Sequence, residues 1–108
     1  MVPQTEGLET SAEMTGTPAQ VEWAGRLKVQ VATEFARVEA AFRVVAAGQT
    51  GAKRAETEEI LAILEEKRTD ALAVGDARYF ILNWQDLGDQ VRRILFADAR
   101  YQAIRARR

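Results

Sequence analysis

The chain has 108 residues, with 15 Lys or Arg against 16 Asp or Glu and a formal net charge of -1. That length makes one domain with a modest core, of a size at which a partner surface often adds burial. Cysteine and histidine are both absent, which excludes disulfides, thiolate metal sites, cysteine nucleophiles and imidazole acid–base chemistry.

The opening MVPQTEGLET carries neither a basic nor an apolar run, and no stretch approaches about 18 apolar residues, so neither signal peptide nor membrane span is expected. The expected location is cytoplasmic, or inside a phage or protein assembly. Arginine outnumbers lysine 12 to 3 amid Ala, Val and Glu, a composition that fits a GC-rich bacterial or phage coding sequence. Charge is graded along the chain. Residues 48 to 76 hold seven acids and four bases, whereas residues 77 to 108 hold seven bases and three acids. The two stretches can attract each other or serve separate partners.

Residues 1 to 16 are polar and aperiodic, with Glu6, Glu9 and Glu13 and no base; they read as a flexible acidic tail. Residues 17 to 108 read as a single helical domain. Thr17, Pro18 and Gln20 form a helix start with capping-box chemistry. The first helix is placed at about 18 to 47, with a seam of Val21, Ala24, Lys28, Val31, Phe35, Val38, Phe42 and Val45 at alternating steps of three and four. That spacing is close to a 3.5 repeat and predicts long helices crossing at a shallow angle, as in a coiled coil. Lys28 interrupts the seam, its stem packed and its ammonium reaching solvent.

GQTGAK, residues 48 to 53, superficially resembles a phosphate loop, but the glycines are too close, Arg54 stands where Ser or Thr is needed, and a helix precedes it. It reads instead as punctuation: Gly48 left-handed at the end of one helix, Thr50 capping the next. The second helix covers about 52 to 74 and ends at Gly75, also predicted left-handed, with Asp76 capping the third.

The third helix is placed at about 77 to 106, with a seam of Phe80, Trp84, Leu87, Val91, Ile94, Asp98 and Tyr101. The fold class is therefore all-α: three long helices in an up-down-up bundle or extended helical hairpin behind a flexible N-terminal tail. Phe35, Phe42, Phe80, Trp84 and Tyr101 are the expected core anchors, with Trp23 in the core or at an interface. Asp98 is the one acid on the apolar seam. A hairpin about residues 75 and 76 sets it near Lys53 and Arg54, where a structural ion pair would fix register.

On the opposite side of helix three, Leu82, Phe96, Arg93 and Arg100 cluster into an outer patch suited to an interaction surface. No catalytic, cofactor-binding or metal-binding constellation emerges. The expected function is a non-enzymatic protein–protein interaction or assembly module. It would pair with itself or another protein through helix faces, as a homo-oligomer or a small structural or adaptor subunit of a bacterial or phage assembly. The alternative is a nucleic-acid-binding or regulatory protein using the arginines of RRILFADARYQAIRARR. Third is a small all-α enzyme acting on an anionic metabolite.

Overall fold

The computed structural model describes residues 14 to 107, an elongated body of 53 × 28 × 19 Å. It is all-α: α1 (Pro18–Ala47), α2 (Gly51–Leu72), α3 (Ala77–Asn83), α4 (Leu87–Ala97) and α5 (Ala99–Ala106). The acidic tail expected over residues 1 to 16 lies outside the described residues as far as residue 13. Its last three residues are pinned. Thr15 N donates to the Gly75 carbonyl at 2.8 Å, Ala77 N donates to the Thr15 carbonyl at 2.9 Å, and Met14 is buried.

α1 begins where the capping chemistry requires. Thr17 Oγ1 accepts from Gln20 N while Gln20 Oε1 accepts from Thr17 N, and Pro18 follows at the first helical position. The helix is the spine of the molecule: α2 folds back along it, and α3 and α4 pack on it. Its buried positions are Ala24, Leu27, Val31, Phe35, Glu39 and Ala46. The regular seam thus holds in the middle and drifts at the end, where Val45 is 49% exposed and Ala46 only 6%. An α-helix advances 3.6 residues per turn, so a pattern read at 3.5 rotates by about 20° per heptad and loses the core after a few turns. Phe42 is half-buried, and Trp23 is 43% exposed, at the surface of the chain and not in its core.

Between α1 and α2 the left-handed residue is Gly51, at φ 61°, and not Gly48, at φ -94°. Thr50 is the N-cap of α2 but its side chain makes no capping hydrogen bond. Gly75 is not among the positive-φ glycines. Its carbonyl instead receives Thr15, so the α2–α3 corner is held by a strand-like bridge to the segment before α1.

The third helix is not continuous. It breaks after Asn83 and again at Asp98, giving three shorter helices in place of the long one expected. At the first break Trp84 ends α3 inside the core, its ring 5.8 Å from that of Phe35. Gln85 Nε2 donates to the Ile81 carbonyl at 2.9 Å, in place of a backbone bond that the break removes, and Asn83 Nδ2 adds a bond to the Tyr79 carbonyl at 2.8 Å. At the second, Asp98 Oδ1 accepts from Arg100 N at 2.8 Å, capping α5, and Gln102 Nε2 donates to the Phe96 carbonyl at 2.9 Å. The core gathers Phe35, Phe80, Trp84, Ile60, Ile63, Leu64, Val91, Leu95, Tyr101 and Ile104 from all five helices.

Candidate docking surface

The pairing expected between Asp98 and Lys53 or Arg54 does not form. Asp98 Oδ2 lies 3.0 Å from Lys67 Nζ and 2.8 Å from Arg100 Nη2, while Arg54 pairs with Glu58 on its own helix at 3.2 Å. Lys53 sits at a shallow polar depression with Gln49, Ala52, Glu56 and Arg107. The expectation assumed that a straight helix three runs back along α2. With the chain broken at Trp84 and α3 packed on α1, the joint between α4 and α5 meets α2 about four turns further along it, at Lys67. Arg100 above all, with help from Lys67, holds the Asp98 carboxyl far below the usual carboxylate range, although burial opposes this.

The residues of the outer patch are spread over three helices. Leu82 lies on α3 and is 76% exposed; Phe96 lies on α4 beyond the break. Arg100 is engaged by Asp98 and by Glu66 of α2, and Arg93 reaches Asp89 at 4.0 Å. Arg107 bonds Glu56 at 3.3 Å and lies 3.8 Å from the Glu59 carboxylate. The acidic stretch of α2 and the basic C-terminal helices therefore face each other within one molecule. Among the described arginines of the C-terminal segment, Arg105 alone has no carboxylate partner.

Phe96 belongs to a different surface. α1 supplies Arg37, Val38, Ala41 and Phe42, α4 supplies Val91, Arg92, Leu95 and Phe96, and α5 supplies Tyr101 to a groove of about 270 Å³. A shallower depression formed by Phe96, Tyr101, Gln102, Arg105 and Ala106 continues it. The two share the Phe96–Tyr101 stack, with ring centroids 5.3 Å apart and planes 17° from parallel. Tyr101 is buried, Phe96 is 46% exposed, and Arg105 Nη1 donates to Tyr101 Oη at 3.1 Å. Among the described residues no acid lines either depression. Glu34 bonds Arg37 and Asp89 bonds Arg92 at 2.9 Å from outside the groove, and these arginine bonds pull both carboxyls below their ordinary range.

A separate depression, about 350 Å³, lies among Met14, Val21, Gly25, Lys28, Val29, Ala32 and Leu72. Its lysine is the half-buried seam intruder, Lys28.

Two polar residues in the core were not singled out from sequence. Thr57 is buried, its hydroxyl directed to Gln49 Oε1 and the Lys53 carbonyl. Glu39 is buried, with Arg43 3.3 Å from its Oε1 and no partner at Oε2. Burial, and then the charge of Glu65 on α2, push the Glu39 carboxyl above its ordinary value against the pull of Arg43 and Arg68. The available signal was spacing: Glu39 stands four residues after Phe35, on its buried stripe.

Among the described residues no group of three or more carboxylates comes together as a metal site, and no helix is long and apolar enough to cross a membrane. No protein-family model, curated protein or solved structure matches the chain.

Proposed function

We propose that the chain is a non-enzymatic interaction or assembly module that docks through its helix faces. It would act as a homo-oligomer or as a small structural or adaptor subunit, in a bacterial or phage assembly. The observation that carries this reading is the groove between α1 and α4–α5, an apolar channel walled by Val38, Phe42, Leu95 and the half-exposed Phe96. Apolar surface left open beside a core this small is a characteristic of docking sites. Val29, Val44 and Leu82 add exposed aliphatic surface elsewhere.

Light scattering on the wild type, Phe96→Asp and Leu82→Asp separates the forms of the proposal. Self-association that Phe96→Asp abolishes places a second copy on the groove, and self-association that only Leu82→Asp abolishes moves the interface to α3. A wild type that stays monomeric at high concentration removes the homo-oligomeric form and leaves a heterologous partner.

One observation favours a second reading. The Phe96–Tyr101 stack with Arg105 beside it has the composition of a base-stacking platform. Salt-dependent binding of DNA that is lost when Arg92, Arg93 and Arg100 become alanine would support it. The internal pairing of Arg92, Arg93, Arg100 and Arg107 weighs against a phosphate track.

A further inference from the structure

The groove's chemistry specifies more than an apolar occupant. We infer that it receives an acidic amphipathic helix of a partner protein; this rests on the docking reading above and adds the partner's charge and shape. Three arginines stand along the groove, Arg37, Arg92 and Arg105, and among the described residues no carboxylate lines it. Around it, Arg37, Arg92, Arg93 and Arg105 face Glu34 and Asp89 alone as direct carboxylate partners among the described residues, so this rim keeps an excess of positive charge.

Arg105 is the clearest sign. Its guanidinium lies 5.8 Å from the Tyr101 ring centroid and among the described residues bonds a neutral phenol alone, which leaves donors for a carboxylate from outside. The floor beneath these charges is apolar and runs between helices, the form in which a helix laid into a groove anchors side chains at i, i+3 or i+4, and i+7. Open along its length and continued past Phe96 and Tyr101 toward Arg105, the channel can take a few anchoring side chains set in a row. A basic partner would meet like charge at the rim, which costs affinity and slows encounter.

The test uses the full chain and three fluorescein-labelled peptides of about 14 residues, each with Leu and Phe at helical anchor spacing. One carries Glu at the flanking positions, one Gln and one Lys; an oligothymidine of similar length is the fourth probe. Fluorescence anisotropy is read against wild type, Phe96→Asp and Arg105→Ala, with circular dichroism confirming that each variant is folded. The Glu peptide is expected to bind at least about tenfold more tightly than the Lys peptide, and less tightly as salt rises. Arg105→Ala should weaken it by about three- to tenfold, and Phe96→Asp by more than about tenfold.

Equal binding of all three peptides, lost in Phe96→Asp, overturns the acidic partner while leaving the docking surface in place. Tighter binding of the oligothymidine than of any peptide replaces the inference with the nucleic-acid reading. No binding of any peptide to a wild type that is also monomeric overturns both the inference and the docking reading. Should Phe96→Asp fail to fold, Arg105→Glu decides: it must favour the Lys peptide over the Glu peptide, and an unchanged preference refutes the inference.

Discussion

Lys67 Nζ on α2 lies 3.0 Å from Asp98 Oδ2, tying the middle of the molecule to the joint between α4 and α5. The same carboxylate caps α5 through Arg100 N and pairs with the Arg100 side chain. Its own side chain is 7% exposed, so these bonds are made where water competes poorly. Asp98→Ala removes a cap, worth about 0.5 to 2 kcal/mol, and strands Lys67. The expected total loss is about 2 kcal/mol, read by urea denaturation. Asp98→Asn keeps an oxygen for the cap and should lose roughly half as much. Because the folded Asp98 is depressed in pKa, its contribution is present above the unfolded carboxylate value of about 4 and is lost as pH falls below it. The difference between wild type and Asp98→Asn should therefore shrink in acid.

Glu39 predicts the reverse. Its folded pKa is raised by burial and by Glu65, so the native state holds the proton more tightly than the unfolded chain does. Its contribution is most favourable below the unfolded value and is lost as pH rises through the folded one. Arg43 on α1 and Glu65 and Arg68 on α2 are the charged groups acting on it. Glu39→Gln should be nearly neutral near pH 4 and should stabilise the protein by roughly 1 kcal/mol near pH 8, since it removes a buried charge with one oxygen unpartnered. A pH-independent difference between the two proteins would contradict this.

These two carboxylates show what sequence could and could not convey. The helical class and the first two helices were legible because capping residues and apolar spacing are local signals, as at Thr17 and Asp76. The breaks in the third helix were not, although Asp86 and Asp98 are both N-cap residue types. Apolar spacing continued in phase through Leu87, Val91 and Ile94, and neither break carries proline or glycine. Asp98 was legible as an anomaly on the seam. Its partner was not, since Lys67 comes within reach only because α3 packs on α1 and shifts everything after it. The groove combines residues from three helices: Val38, Phe42, Val91, Phe96 and Tyr101 each stood out on its own helix, but that they meet, and that Arg105 adjoins them, depends on the tertiary arrangement.

Two glycines separate backbone strain from steric contact. A Cβ placed at Gly25, inside α1, or at Gly51, at the start of α2, meets nothing within 4 Å. Their backbones differ: only Gly51 has positive φ, at 61°. Gly25→Ala should stabilise by about 0.8 to 1 kcal/mol through helix propensity, whereas Gly51→Ala should destabilise by about 1 to 2 kcal/mol for occupying the left-handed region. Thermal melts of the two variants should move in opposite directions from wild type. A loss of stability in Gly25→Ala would show that the surface beside Lys28 is covered.

Trp84 tests the first break. The ring is fully buried against Phe35, yet its Nε1 has no hydrogen-bond partner. Burial of an unpaired N–H carries a penalty of about 1 to 3 kcal/mol, so the indole stabilises the core less than its area implies. Trp84→Ala should cost about 3 to 5 kcal/mol, the usual loss for emptying an aromatic site. Trp84→Phe keeps most of the packing and removes the orphan donor, so the two effects oppose each other and the net loss should stay within about 1 kcal/mol. Chemical denaturation of both variants decides the point. If Trp84→Phe approaches the cost of Trp84→Ala, the indole N–H is bonded in solution and helps hold the break between α3 and α4. If it stays small, the break depends on the bulk of the ring and on the Gln85 amide that covers the open Ile81 carbonyl.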